Sequence, residues 1–339
     1  MILNSITDLE KNQEPLALVN VPEPVPGDNE VLLKVSACGV CHTELDEIEG
    51  RTPPPVFPVI PGHQVVGRVI SAGKNVKGLT LHDRVGVAWI FSSCGKCSFC
   101  LSDQENLCHE FTATGRDVNG GYAEFMTVPA DFTHKIPDFF TDAQAAPLLC
   151  AGAVGYRSFR LAEVKTGQNI GLTGFGASGH LVLQTIKYKF PENKIFVFAR
   201  SSSERAFAME LGADWAGDAT DEVPDLLDSI IDTTPVWITV VEALKNLKPG
   251  GRLVINAIRK ENIDKDYLMN LDYSSHLWME KEIKSVANVT RADVRDFLAI
   301  AAEIPVIPEV QLYRLEEANM ALSEMKQRKI RGAKVLSMD

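Results

Sequence analysis

The sequence predicts an α/β protein of two domains, one β-rich and one built on a doubly wound parallel sheet. Three observations carry that expectation. The chain has 339 residues, long for a single hydrophobic core. Residues 1–150 read as short apolar strands punctuated by Pro and Gly clusters. Beyond them, apolar strands alternate with amphipathic helices, which is the pattern that lays strands side by side in parallel.

In chain order, VLLKVSACGV (31–40), QVVGRVISAG (64–73) and DRVGVAWI (83–90) are the strand candidates of the first part. In the second part NIGLTG (169–174) reads as a buried strand and ASGHLVLQTIKYKF (177–190) as the helix that follows it. KIFVFA (194–199) and SERAFAMELGA (203–213) repeat that unit, and LDSIIDT, RLVINAI and EIKSVAN supply further strands. The last fifty residues hold two helical patterns, RADVRDFLAIAAE and LEEANMALSEMKQ, and a closing strand-like AKVLSM. The expected organisation is residues 1–150, then 151–287, then a return of 288–339 to the first domain.

Composition narrows the function. Apolar residues make up 45% and charged residues 23%, ordinary for a soluble enzyme. A net charge of −11 argues against nucleic acid, whose phosphates need a basic face. No apolar run reaches the roughly eighteen residues of a membrane span, and MILNSITDLEKNQEP has acidic residues in place of a signal-peptide core. A reducing cytoplasm and a small-molecule substrate are the expectation.

Cys94, Cys97, Cys100 and Cys108 place four thiols in fifteen residues with little apolar material around them. Tetrahedral zinc holds such a lobe (about residues 92–110) in shape without a core of its own. A disulfide reading is weaker, because bridging such close neighbours strains the geometry.

Gly174-Phe175-Gly176-Ala177-Ser178-Gly179 follows an apolar strand and opens a helix, the setting in which G-x-G-x-x-G binds a dinucleotide. Gly174 permits the tight turn, Gly176 the approach of backbone to pyrophosphate, and Gly179 the packing of helix on strand. At the end of the second strand, where an acid would bind the ribose 2′-OH of NAD, stand Arg200 and three serines, with Arg205 beyond. Positive charge and small donors there suit a 2′-phosphate, so NADP(H) is favoured over NAD(H), and Arg200 and Arg205 are candidate cofactor residues.

A second constellation is dispersed. Cys41 precedes His42-Thr43-Glu44, His63 sits in PGHQ, and Cys150 in LLCAG. Two thiolates and one imidazole leave a fourth position open, the ligand set of a catalytic zinc acting as Lewis acid.

Taken in order, GVCHTEL, IPGHQVVG, the cysteine lobe, GGYAEF, PLLCAG and GFGASG resemble the zinc-dependent medium-chain alcohol dehydrogenases, from about residue 25 to the C-terminus. That resemblance implies a GroES-like catalytic domain and an inserted Rossmann domain. It implies catalytic zinc ligands Cys41, His63 and Cys150 and structural ligands Cys94, Cys97, Cys100 and Cys108. It gives Thr43 the hydroxyl beside the substrate oxygen, His42 a contact to the cofactor pyrophosphate, and Glu44 the support of the ligand histidine. It further implies two zinc ions per chain, a primary alcohol or aldehyde substrate, and a homodimer or homotetramer.

Two positions depart from the family's pattern. Gln64 stands where a Glu often follows the ligand histidine, and Asp46 where a relay histidine is common. Arg51, the run Pro53–Pro58, Trp89 and Phe91 are candidates to border the substrate, with core packing an equal reading for the last two. A polyol or hydroxyacyl dehydrogenase on the same scaffold is the alternative, followed by a non-catalytic binder of zinc and dinucleotide.

Overall fold

The computed structural model describes residues 1–304, 307–327 and 332–338; residues 305–306, 328–331 and 339 of the C-terminal segment lie outside them. The chain divides into two compact units, one of Met1–Cys150 with Val289–Asp339 and one of Ala151–Asn288. Among the described residues, no helix is long and apolar enough to cross a membrane.

The first unit is organised by a seven-stranded sheet. Its order is Val310–Arg314, Ala333–Ser337, Glu30–Val40, Gln64–Ala72, Arg84–Val87 and Thr133–Lys135, with Phe125–Pro129 also paired to Glu30–Val40. All pairings are antiparallel except Val310–Arg314 with Ala333–Ser337. The long strand Glu30–Val40 is its spine, and Val31, Leu33, Val35 and Cys38 on it are almost wholly buried. Two register shifts interrupt its ladder with Gln64–Ala72. Such bulges bend a strand and re-aim its end, and the end of this one delivers Cys41. DRVGVAWI, expected as one strand, is broken into Arg84–Val87 and Ile90–Ser92. Val310–Arg314 carries little apolar alternation (its burial is mostly exposed), which is why its strand character is not legible in the sequence.

The second unit holds a six-stranded parallel sheet in the order Trp215–Gly217, Lys194–Phe198, Asn169–Thr173, Leu227–Asp232, Leu247–Ile255 and Glu282–Ser285. Strands covered on both faces read as continuous apolar runs, and Ile170, Leu172, Ile195, Val197, Ile230, Ile231, Leu253 and Val254 are all fully buried. Each such side chain contributes about 2–3 kcal/mol relative to exposure. Helix Ala177–Lys189 turns Leu181, Val182, Leu183 and Ile186 into that core. Helix Ser202–Glu210 starts at a capping box in which Ser201 and Glu204 satisfy each other's backbone N–H groups. The strand order reverses on either side of Asn169–Thr173. The crevice at the carboxyl ends of such a sheet is where ligands bind.

Candidate active site

The first constellation is assembled by a short helix, a strand and an irregular turn, all in the first unit. Helix His42–Ile48 is capped by Cys41, whose sulfur accepts from the Thr43 N–H at 3.3 Å. Glu44 returns the favour, its Oε2 accepting from the Cys41 N–H at 2.8 Å. The other oxygen of the same carboxylate lies 2.6 Å from His63 Nδ1. One buried carboxylate therefore fixes both the helix start and the imidazole, and it leaves His63 Nε2 turned to Cys41 Sγ at 3.6 Å. His63 immediately precedes the strand Gln64–Ala72.

Cys150 arrives on the π-helical turn Leu148–Gly152, anchored by the fully buried Leu148 and Leu149. A Cβ on Gly86 would stand 2.8 Å from the Leu149 and Ile136 methyls, so a larger residue there would require those side chains to shift. The Cys41, His63 and Cys150 ligand atoms all lie within 4.8 Å of one another. A hydrogen bond with Cys150, burial and the Glu44 charge hold the Cys41 thiol well above its ordinary range. Two thiolates here need a cation between them, and two sulfurs with one imidazole nitrogen fit zinc.

Glu44→Ala is expected to lower metal affinity and turnover by about 10–100-fold, the usual cost of removing a carboxylate that orients a ligand histidine. Competition with a chromophoric chelator checks the affinity, and wild-type affinity would remove Glu44 from this role.

The second cluster is the cysteine lobe. Cys94, Cys97, Cys100 and Cys108 have their sulfurs within 4.8 Å of one another. Cys97–Cys100 and Cys94–Cys100 measure 3.5 and 3.9 Å, near the edge of about 3.8 Å expected of a tetrahedron with Zn–S bonds of about 2.3 Å. Backbone amides of Lys96 and Cys97 point at Cys94 and bring its thiol down to about 6. The Cys97 N–H is 3.4 Å from that sulfur, and the Glu110 N–H 3.3 Å from Cys108 Sγ. Amide donors aimed at sulfur stabilise thiolates, but against the Cys94 amide, burial and side-chain hydrogen bonds with Cys94 and Cys100 push the Cys108 thiol up to about 11, so four thiolates together need a cation among them. The lobe is docked by buried Glu105, which accepts from the Arg291 backbone N–H at 2.9 Å and lies 3.2 Å from its Nε.

In the second unit the glycine turn has the form a dinucleotide needs. Gly174 has φ of 80°, where side chains are strained, and its N–H donates to Phe198 O at 2.8 Å. A Cβ on Gly176 would meet nothing within 4 Å, leaving room for pyrophosphate, whereas one on Gly179 would strike Gly174 O at 2.7 Å. Arg200 is exposed just past the second strand, and no hydrogen bond or ion pair ties its side chain among the described residues. Arg205 has another task. Its Nη1 donates to Ala199 O at 2.7 Å and Arg200 O at 3.1 Å, and it lies 3.5 Å from Asp218. Arg205 thus ties together the loop that presents Arg200.

Other expected positions sort by burial. Thr43 is half-buried and His42 exposed on the first turn after Cys41. Gln64 is buried, and its amide nitrogen has no partner among the described residues. Asp46 is buried and bound to Arg51 at 2.5 Å, so Arg51 is committed to that carboxylate and to Glu49. Phe91 is core, while Trp89 is half-buried, 5.3 Å from the Phe111 ring with the Arg116 guanidinium 5.1 Å over it. The sequence reading missed Glu47. One turn beyond Glu44 and buried, it is pushed up to about 8 by burial and the Glu44 charge, and Trp89 Nε1 donates to it at 3.5 Å. Its three-residue offset from Glu44 was the available signal.

With this geometry in view, comparison with known proteins is decisive. Residues 27–138 match the alcohol dehydrogenase GroES-like domain. The chain is 42% identical over 327 residues to a probable alcohol dehydrogenase AdhA of Mycobacterium tuberculosis, covering 95% of this chain and 92% of that protein. The chain belongs to the zinc-dependent medium-chain alcohol dehydrogenase family. An alcohol dehydrogenase of Geobacillus stearothermophilus is 34% identical over 332 residues, covering 95% of this chain and 96% of its own length. Among solved structures, a cinnamyl alcohol dehydrogenase of Sorghum bicolor superposes with a TM-score of 0.83 at 26% identity, covering 99% of this chain and 97% of that one. The GroES-like and Rossmann folds expected from the sequence are those of this alcohol dehydrogenase.

Proposed function

We propose that this alcohol dehydrogenase carries two zinc ions per chain, prefers NADP(H), and works chiefly as a reductase of aldehydes to primary alcohols. The observation that carries the reading is the three-residue set Cys41, His63 and Cys150, gathered within 4.8 Å and distinct from the closed four-cysteine lobe. Zinc held by three protein ligands supplies a Lewis acid that raises the acidity of an alcohol or the electrophilicity of a carbonyl. Around it, Glu44 keeps the imidazole in the tautomer that offers Nε2 to the metal. The Thr43 hydroxyl, on the first turn after Cys41, takes or returns the alcohol proton. The Gly174–Gly179 turn and the start of helix Ala177–Lys189 offer backbone N–H groups to the pyrophosphate. His42 is proposed as a further pyrophosphate contact. Catalysis then rests on holding the nicotinamide carbon against the substrate carbon for hydride transfer.

Arg200 supports the NADP(H) preference, since an exposed guanidinium in place of an acid forms a charge-assisted pair with a 2′-phosphate and at most a weaker, neutral hydrogen bond with a 2′-OH. Initial rates with aliphatic and aromatic aldehydes test this reading. Turnover with NADPH well above that with NADH is expected, and Arg200→Ala should narrow the ratio by about tenfold, the worth of one charge-assisted hydrogen bond. Equal efficiency of wild-type enzyme with both cofactors would sink the preference. A cytoplasmic location and a homodimeric or homotetrameric assembly complete the proposal.

A further inference from the structure

The carboxyl ends of the strands Asn169–Thr173 and Leu227–Asp232 hold a buried polar cluster that the reaction as described does not use. Asp232 is fully buried and faces Thr173 across the sheet. Its Oδ1 accepts from the hydroxyls of Thr173 at 2.5 Å, Thr234 at 2.8 Å and Thr239 at 3.1 Å, and from the Thr234 N–H at 3.3 Å. Its Oδ2 pairs with Lys260, whose side chain is 7% exposed. The Lys260 ammonium also donates to Thr234 O at 2.8 Å and Val236 O at 3.0 Å.

A buried charge pair saturated with hydrogen bonds is poor evidence for stability, because desolvation offsets the attraction. Its contacts nonetheless tie one stretch of backbone together. That stretch is the loop 232–236. Lys260 binds the loop from below through three groups at once. A second tie runs from the Glu261 N–H to Pro235 O at 2.7 Å. Between the anchored Asp232 and Thr234 stands Thr233, whose N–H and hydroxyl both donate to Thr173 O, at 2.9 and 3.0 Å. The same hydroxyl lies 3.3 Å from Gly174 O. Thr233 therefore clasps the first glycine of the dinucleotide turn, and a Cβ on Gly174 would stand 2.7 Å from the Thr233 hydroxyl.

We propose that Lys260 is a positioning residue for the nicotinamide half of the cofactor, acting through Asp232 and the Thr233 clasp. In a sheet of this kind the two mononucleotide halves lie on either side of the reversal in strand order. The Arg200 side, beyond Lys194–Phe198, takes the adenosine half, which leaves Leu227–Asp232 and its loop beneath the other half. The inference rests on the dinucleotide reading of the glycine turn, and the wild-type binding controls test that reading separately.

The test is equilibrium binding by fluorescence titration, with no turnover required. Lys260→Met keeps the apolar stem and removes the ammonium. It is expected to weaken NADPH binding on the order of tenfold. Binding of adenosine 2′,5′-bisphosphate, which lacks the nicotinamide half, should stay unchanged. NADPH binding as tight as wild type, or equal losses for both ligands, would overturn the proposal, the second because it signals general damage to the domain. Thr233→Val, which leaves the Asp232–Lys260 pair intact, is read in the same way should Lys260→Met fail to fold. If the wild-type protein binds neither ligand, the dinucleotide reading itself falls and the inference with it.

Discussion

Cys41→Ala or His63→Ala is expected to abolish turnover, by about a thousandfold or more, while dinucleotide affinity stays within about twofold of wild type. The size of the loss follows from the several kcal/mol that a metal Lewis acid contributes to such a transition state. Cys41 and His63 bear on the metal, whereas the proposed cofactor contacts, the Gly174–Gly179 turn and Arg200, lie elsewhere in the chain, His42 alone standing beside Cys41. Metal analysis on the same samples adds a second reading, since zinc should fall from near two to near one per chain. Full activity in either variant would refute the assignment of these residues as catalytic zinc ligands. Near one zinc in the wild-type chain would leave only the lobe filled.

Cys97→Ser is expected to act on stability rather than on chemistry. The lobe from Cys94 to Cys108 contains the short helix Ser98–Leu101, in which no residue is buried, and it has no core to hold it without metal. Loss of one thiolate should release the zinc and cost several kcal/mol, a fall in Tm of about 10 °C. Differential scanning fluorimetry measures the shift, and an unchanged Tm would show that the lobe holds its shape by other means. Near-normal kcat per folded, catalytically metallated chain is expected below the lowered transition. Glu105 carries the disturbance further, because it joins the lobe to the start of helix Arg291–Glu303 through Arg291. Proteolysis of the variant should therefore begin in the lobe and extend to that junction.

The two candidate metal clusters differ in how plainly the sequence shows them, and the reason is contact order. Cys94, Cys97, Cys100 and Cys108 are local, so their spacing alone confines them to one centre. Cys41, His63 and Cys150 are separated by strands and a π-helical turn, and nothing in the spacing brings them together. Resemblance to a family supplied that grouping in the sequence. The register of Glu30–Val40 with Gln64–Ala72 supplies it in the fold, pairing Gly39 with Gln64 and so bringing the residues before Cys41 alongside those after His63.

The sequence by itself determined the α/β class, the parallel sheet and its glycine turn, because apolar periodicity and Gly placement are local consequences of backbone geometry. Helix starts at Ser201 and Thr290 are legible for the same reason, each set by a capping side chain three residues from its partner. The partners of buried charges were decided only by the tertiary structure. Arg205, a candidate cofactor residue in the sequence, donates to two carbonyls of its own loop. Asp46 is bound to Arg51, Glu47 is buried beside Trp89, and Asp232 gathers Lys260 and three threonines. A charge in a sequence has many possible partners. Desolvation in the folded core makes all but a saturated arrangement costly, and that cost is set by packing which no local pattern contains.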